Sequence, residues 1–140
     1  MNRVATLALA TLGLSGCLVY EDGGPPPGPV NGAPYVAWAD AGCYYDAGYR
    51  DDIWYFEADA DDPDGALDVV AVYADVYDAR GEWADSFELF PTQDPVYWFS
   101  DWLGSSTWLD CGYGGYSVDI VAYDSFDAYD VLTIVPKTAH

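Results

Sequence analysis

Hydrophobic and polar residues alternate on both sides of a short acidic segment, residues 61–65 (DDPDG). Alternation with a period of two is typical of a β-strand that has one face in a core. Within the segment, Pro63 presets φ and Gly65 can adopt a positive φ, which favours a turn. The pattern therefore predicts a β-hairpin over residues 53–78. Its inward-facing side chains are predicted to be Trp54, Phe56, Ala58, Ala60, Val70, Val72, Ala74 and Val76.

Similar alternating runs, separated by Gly, Pro and Asp, continue to the end of the chain. No segment after residue 34 has a sustained helical period or helix caps. Regularly spaced short strands with turn residues between them predict an all-β fold, an antiparallel β-sandwich of about seven strands. Two loops are predicted to carry cysteines, residues 41–50 and 104–115. The predicted strands are 35–40, 53–60, 70–77, 82–90, 96–103, 116–124 and 129–135.

Size and charge narrow the classes of partner. The chain has 140 residues, which is enough for one domain, and 51% of them are hydrophobic, so a real core can form. Its net charge of −20 would repel a phosphate backbone, which argues against nucleic acid and against an anionic membrane surface as direct partners. A cation, a basic partner or a purely solvated surface suits this charge.

The first residues have the features of an export signal. Arg3 provides a positive start, residues 4–14 are apolar but too short to span a bilayer, and Leu14-Ser15-Gly16-Cys17 follows. This order resembles the lipobox of bacterial lipoproteins. The resemblance implies that residues 1–16 are a removed signal peptide and that Cys17 is lipidated. An ordinary secretory signal is the alternative.

The residue after the cysteine and the segment that follows it bear on the location. The residue after Cys17 is Leu18. By analogy with enteric lipoproteins, an Asp at this position would retain the protein in the inner membrane. The resemblance therefore implies a lipid-anchored protein of the bacterial cell envelope that is located in the outer membrane. Residues 17–34 are rich in Pro and Gly and are predicted to form a tether. Residues 35–140 then form the folded domain.

Two stretches resemble the polycystic-kidney-disease (PKD) type domains and related bacterial immunoglobulin-like domains. Residues 115–124 (GYSVDIVAYD), followed by LTIV at 132–135, resemble their pattern G-x-Y-x-V-x-L-x-A-x-D and closing strand. Residues 56–65 (FEADADDPDG) resemble their F-x-A-x-A-x-D-P-D-G stretch. The next strand reads AVYADVYD and lacks the W-D-F-G-D of true PKD domains, so the resemblance implies an immunoglobulin-like, PKD-like fold without membership. It also implies a tyrosine corner, in which the Tyr116 hydroxyl bonds to nearby backbone.

The two remaining cysteines, Cys43 and Cys111, are expected to form a disulfide, because an exported domain folds in an oxidising compartment. Free thiols are the alternative.

Catalysis is not predicted. The single histidine, His140, is the last residue, so no catalytic triad can be built around a core position, and zinc ligands are lacking. An acidic hydrolase or an inhibitor of a secreted enzyme, acting through surface carboxylates, is the alternative function.

Clustered carboxylates beside a turn carbonyl are what a hard cation prefers. We therefore consider a calcium site at Asp59, Asp61, Asp62 and Asp64, helped by Asp124 or Asp127 from elsewhere in the chain. It is not an EF-hand, because the first and last ligand positions of that motif hold alanines. A solvated acidic turn is the alternative.

Aromatic residues on the outer faces of the strands suggest a second kind of site. Outward tyrosines beside carboxylates could form a platform for a glycan or a protein, because aromatic rings stack on sugar faces and carboxylates accept hydrogen bonds from hydroxyls. Cross-strand packing of tyrosines is the alternative. Together these features predict a binding or structural module in surface interaction or envelope assembly, with an envelope protein or glycan as partner. The platform residues are Tyr55, Tyr73, Tyr77 and Tyr123, joined by Trp98, Trp102 and Trp108.

Overall fold

The computed structural model describes residues 28 and 30–138. The predicted signal peptide, the predicted lipidation site Cys17 and most of the predicted tether lie outside these residues. Asn31–His140 form one compact unit. Within the described residues this unit contains eight strands and two 3₁₀ turns, Ala66–Asp68 and Gly104–Ser106. The strands are β1 Tyr35–Asp46, β2 Asp51–Asp61, β3 Val69–Tyr77, β4 Trp83–Pro91, β5 Tyr97–Leu103, β6 Ser117–Asp124, β7 Tyr129–Ile134 and β8 Lys137–Thr138.

The all-β prediction is confirmed, and the eight strands form one curled sheet in the order β7-β6-β3-β4-β5-β2-β1-β8. All pairs are antiparallel except β1 with the short β8, which the sequence did not predict. Strand β4 pairs with β3 along most of its length, and only its end pairs with β5, at Phe90↔Phe99 and Pro91↔Trp98. The sheet turns at this point, so β1-β2-β5 faces β4-β3-β6-β7 across one core.

The predicted hairpin is wrong, although its two strands exist. Strand β2 pairs with β1 and β5, whereas β3 pairs with β4 and β6. The acidic turn therefore carries the chain from one half of the sheet to the other. The turn itself has the predicted chemistry, because Gly65 adopts a φ of 126° and donates its N–H to the carbonyl oxygen of Asp62 at 2.9 Å.

The alternation correctly predicted most of the core. Trp54, Phe56, Ala58 and Ala60 are each 0% exposed. Val70 is the exception at 56% exposed, because a register irregularity between Val69 and Ala71 turns it outward and places Val69 inside. Ring contacts close the core across the two halves of the sheet, with Phe56 stacked on Phe87 at 4.8 Å and Trp54 edge-on to Tyr116 at 5.9 Å.

Strand β1 is longer than predicted and includes residues 41–46 of the predicted loop 41–50. Gly42 allows this, because a Cβ there would lie 2.7 Å from the carbonyl oxygen of Lys137 in β8 and 2.8 Å from the Tyr55 hydroxyl. The Cys43–Cys111 disulfide is confirmed. It joins β1, and not a loop, to the segment that precedes β6.

The contact expected of a tyrosine corner is also present. The Tyr116 hydroxyl accepts a hydrogen bond from the Asp110 N–H at 3.0 Å. Tyr116 lies directly before β6 and is 9% exposed, so this bond fixes the loop against the start of the strand.

Candidate functional site

The four acids predicted to bind calcium are not brought together. Asp59 points to the outer face of β2, and Asp61 accepts a hydrogen bond from the Tyr35 hydroxyl at 3.1 Å. Asp64 accepts one from the Gly32 N–H at 2.8 Å. Only Asp62 turns inward, where it is 4% exposed.

Asp62 instead meets two carboxylates from other segments, Asp68 and Asp124. One carboxylate oxygen from each of the three lies within 4.8 Å of the others. Asp62 follows β2, Asp68 ends the 3₁₀ turn before β3, and Asp124 ends β6. The sequence predicts Asp124 as an additional ligand of the calcium site, but it does not predict Asp68. We call these three residues the acidic cluster.

The β3–β6 pairing builds the acidic cluster. Val69 is in register with Asp124, and the Ser125 N–H donates to the Asp68 carbonyl oxygen at 3.1 Å. The Ser125 hydroxyl also donates to Asp68 Oδ1 at 2.5 Å. The end of β6 and the turn before β3 are thereby held side by side, with their carboxylates on the same end of the sheet as Asp62.

Asp124 is 1% exposed and is held as a carboxylate by its hydrogen bonds. Burial acts to raise its pKa, but a bond from Asn31 Nδ2 at 2.6 Å and bonds from the Phe126 and Ala128 N–H groups, both 2.8 Å, outweigh burial and lower the pKa. In Asp62, Oδ1 accepts a hydrogen bond from the Asp64 N–H at 2.7 Å, whereas Oδ2 is buried and has no hydrogen-bond partner within residues 28 and 30–138.

A second group of potential metal ligands, Cys43, Asp52 and Cys111, also has its ligand atoms within 4.8 Å of one another. Its two sulfurs are bonded to each other in the disulfide, so they are not thiolates and cannot ligate a metal.

The predicted tyrosine platform is divided between two surfaces. Tyr73 and Tyr123 meet edge-on at 6.3 Å on the outside of β3 and β6, and Tyr129 joins them at 5.8 Å from Tyr123. Tyr77 lies further along β3, where burial and the nearby carboxylates of Asp75 and Asp119 raise its pKa. Tyr55 lies in the other half of the sheet. The rings of Tyr73, Tyr123 and Tyr129 therefore show the cross-strand packing that is the alternative to a ligand platform.

Two of the tryptophans assigned to that platform are in or against the core. Trp98 is 5% exposed, and Trp102 packs against Phe87 at 5.7 Å between ring centroids. Only Trp108 is free of the core, at 86% exposed.

A different aromatic surface lies outside β1, β2, β5 and the end of β4. The register places Trp38, Asp59 and Tyr97 in one row across the strands, and it places Phe90 and Phe99 in the next. Trp38 is 46% exposed and Phe90 is 52% exposed. We call this surface the outer face; its members are Trp38, Tyr55, Tyr97, Phe99 and Phe90 with the carboxylates Asp40, Glu57, Asp59 and Asp101.

Hydrogen bonds hold the polar groups of the outer face in place. Tyr97 donates its hydroxyl to Glu57 Oε2 at 2.5 Å. This bond, with burial and the negative charges of Glu57 and Asp59, raises the pKa of Tyr97 to about 12. At one edge, Lys137 Nζ contacts Asp40 Oδ2 at 2.6 Å, and this hydrogen bond, together with the charge of Asp40, raises the pKa of Lys137. A shallow depression of about 320 Å³ adjoins Phe90 and Phe99.

No family model, curated protein or solved structure matches this chain. In the part of the chain that the structure describes, no helix is long and apolar enough to cross a bilayer.

Proposed function

We propose that the chain is a cell-envelope lipoprotein, lipidated at Cys17 and sorted to the outer membrane, whose single immunoglobulin-like domain is a binding module for a neutral glycan. The lipobox pattern at residues 14–17 supports the anchor. A tether rich in Pro and Gly would keep the domain away from the bilayer.

The strand order supports the immunoglobulin-like assignment. Three strands in the order β1-β2-β5 face four in the order β4-β3-β6-β7, and consecutive strands β2 and β3 belong to different halves. Crossing between two packed halves in this way is typical of sandwich folds with Greek-key connections. The hydrogen bond from the Asp110 N–H to the Tyr116 hydroxyl at the start of β6 adds the tyrosine corner of the same fold.

The observation that carries the binding role is the outer face. Its aromatic rings come from β1, β2, β5 and the end of β4, and the register places them in neighbouring rows on one side of these strands. Trp38 and Phe90 retain about half of their surface in solvent, so both rings are accessible to a ligand. Rings of this kind stack on the apolar faces of sugars, and the carboxylates between them accept hydrogen bonds from sugar hydroxyls. The net charge of −20 disfavours an anionic polysaccharide, which leaves neutral glycans as the best fit.

The test is binding of the full-length chain to immobilised neutral oligosaccharides. Trp38→Ala and Phe90→Ala should each weaken binding about tenfold, because each removes a stacking contact. Trp108→Ala is the matched control, since Trp108 is more exposed but lies away from the outer face. Absence of binding to any neutral glycan, or an equal loss in the Trp108 variant, would refute this role.

The anchor is tested separately. Wild-type chain expressed in a bacterium should incorporate radiolabelled palmitate and fractionate with membranes, and Cys17→Ser should do neither. An unlabelled wild-type protein would contradict lipidation.

A further inference from the structure

The acidic cluster has a charge that the described residues do not balance. Asp62 and Asp124 are 4% and 1% exposed, and Asp68 is half-buried beside them. Ion pairs among the described residues link Arg80 with Asp78 and Glu82, and Lys137 with Asp40, so none of them reaches the cluster. Carboxylates taken out of water repel one another strongly unless a positive charge compensates them.

The hydrogen bonds among the described residues leave one fully buried oxygen of the cluster unpartnered. Asp124 receives donors on both oxygens, and the Ser125 hydroxyl donates to Asp68. Asp62 accepts a hydrogen bond on Oδ1, whereas its Oδ2 is fully buried and has no partner among the residues that the structure describes. A buried polar atom without a partner costs free energy, and when that atom is a carboxylate oxygen beside two other carboxylates, a bound cation would remove this cost.

We propose that Asp62, Asp68 and Asp124 form a calcium-binding site. Calcium is bound by oxygen ligands at about 2.3–2.6 Å, so two ligands on opposite sides of the ion are about 5 Å apart. The three carboxylate oxygens lie within 4.8 Å of one another, which is close enough for all three to contact one ion of that size. Three negative charges favour a divalent cation, and backbone or solvent oxygens can complete the coordination shell.

The ligand chemistry distinguishes calcium from the other common divalent cations. Zinc prefers Cys and His ligands, and the two ligand-forming residues of those types that the structure describes, Cys43 and Cys111, are joined in a disulfide. Magnesium requires a smaller octahedral shell at about 2.0–2.1 Å and keeps most of its water, which suits a buried three-carboxylate site poorly. Calcium tolerates irregular oxygen geometry contributed by separate segments.

The site would connect the segment between β2 and β3, which carries Asp62 and Asp68, with the end of β6, which is far away in sequence. Asp62 lies where the chain leaves one half of the sheet, Asp68 where it joins the other half, and Asp124 at the end of β6. Asn31, which donates to Asp124 at 2.6 Å, adds the segment before β1. Bound calcium would therefore stabilise this end of the fold, and its effect is independent of glycan binding at the outer face.

The experiment uses the full-length chain, treated with EGTA and then titrated with CaCl₂. Isothermal titration calorimetry should show one site, and saturating calcium should raise Tm by on the order of 10 °C at a hundredfold excess over Kd. Magnesium should raise Tm less. Asp62→Asn and Asp68→Asn should abolish the calcium-dependent shift. Asp127→Asn should keep it, because Asp127 is exposed in the adjacent turn and its φ of 64° suits Asn.

A second measurement separates ligation from a merely structural role. In EGTA, Asp62→Asn should be at least as stable as the wild type, because it removes a buried repulsive charge that calcium no longer balances. The proposal is overturned if millimolar calcium produces neither binding heat nor a Tm shift. It is also overturned if Asp127→Asn loses the shift as completely as Asp62→Asn, or if magnesium acts as strongly as calcium.

Discussion

Removal of the Cys43–Cys111 disulfide should cost a large part of the domain's stability. The bridge joins β1 to the segment before β6, and the two cysteines are 68 positions apart in sequence. Both are buried, at 4% and 9% exposed, so the replacement must be apolar. We therefore specify the double variant Cys43→Ala/Cys111→Ala, which leaves no single free thiol that could pair with Cys17.

The expected magnitude follows from the length of the closed loop. In the chain-entropy treatment, opening a loop of this length restores about 14–15 cal/mol/K to the unfolded chain, or about 4 kcal/mol at 25 °C. A domain of this size is stable by only about 5–15 kcal/mol, so the loss is a large fraction of the total. The short side chains that are removed add little, because alanine still fills most of each site.

The assay is urea denaturation of the wild type and the double variant, followed by tryptophan fluorescence and far-UV circular dichroism. Coincident transitions by the two probes would support two-state analysis. The free energy of unfolding should fall by about 3–5 kcal/mol, and the wild type in reducing agent should behave similarly. A fall of less than about 1 kcal/mol with an unchanged m-value would refute the argument that this bridge restrains the unfolded chain.

Three smaller perturbations test other contacts. Tyr116→Phe removes the acceptor of a backbone N–H and should lower the free energy of unfolding by about 1–2 kcal/mol in urea denaturation; an unchanged value would contradict a stabilising corner. Gly42→Ala puts a Cβ 2.7 Å from the Lys137 carbonyl oxygen and should cost about 1–3 kcal/mol, with faster amide exchange in β8; wild-type exchange would argue against the close approach. The hydrogen bond to Glu57 raises the pKa of Tyr97 to about 12 in the folded protein, above the unfolded value near 10. The contribution of this bond to the free energy of unfolding is therefore complete below pH 10 and is lost as the pH rises towards 12. Tyr97→Phe should reduce that alkaline loss by about 1 kcal/mol, a figure discounted for solvent screening, and an identical pH profile would count against the bond.

Local alternation determined the faces of most strands. A side chain in a strand points to the side opposite its neighbours, so the run Trp54, Phe56, Ala58 and Ala60 could be assigned to the core without knowing its partners. The turn at Gly65 was equally local, because the positive φ depends on the residue itself. The disulfide needed only an oxidising compartment and an even number of available cysteines.

Strand pairing could not be obtained in the same way. Adjacent strands with compatible patterns suggested a hairpin for β2 and β3, but hydrogen-bonding edges are chemically alike, and burial of both inner faces decides which edges meet. The exposure of the Val70 side chain also depends on strand pairing, because the register irregularity that turns it outward occurs in the pairing of β3 with β6. Most of the outer face, apart from Tyr55, was missed because its rows join residues from as many as four different strands.

The sequence by itself determined an all-β chain with an amphipathic period, an acidic turn and a cysteine pair, because these depend on residues near one another. Only the tertiary structure decided which acids meet. Asp59, Asp61 and Asp64 are next to Asp62 in sequence but point elsewhere, whereas Asp68 and Asp124 reach it through the pairing of β3 with β6. A cation site depends on distances between oxygen atoms, and strand pairing sets those distances for residues that are far apart along the chain.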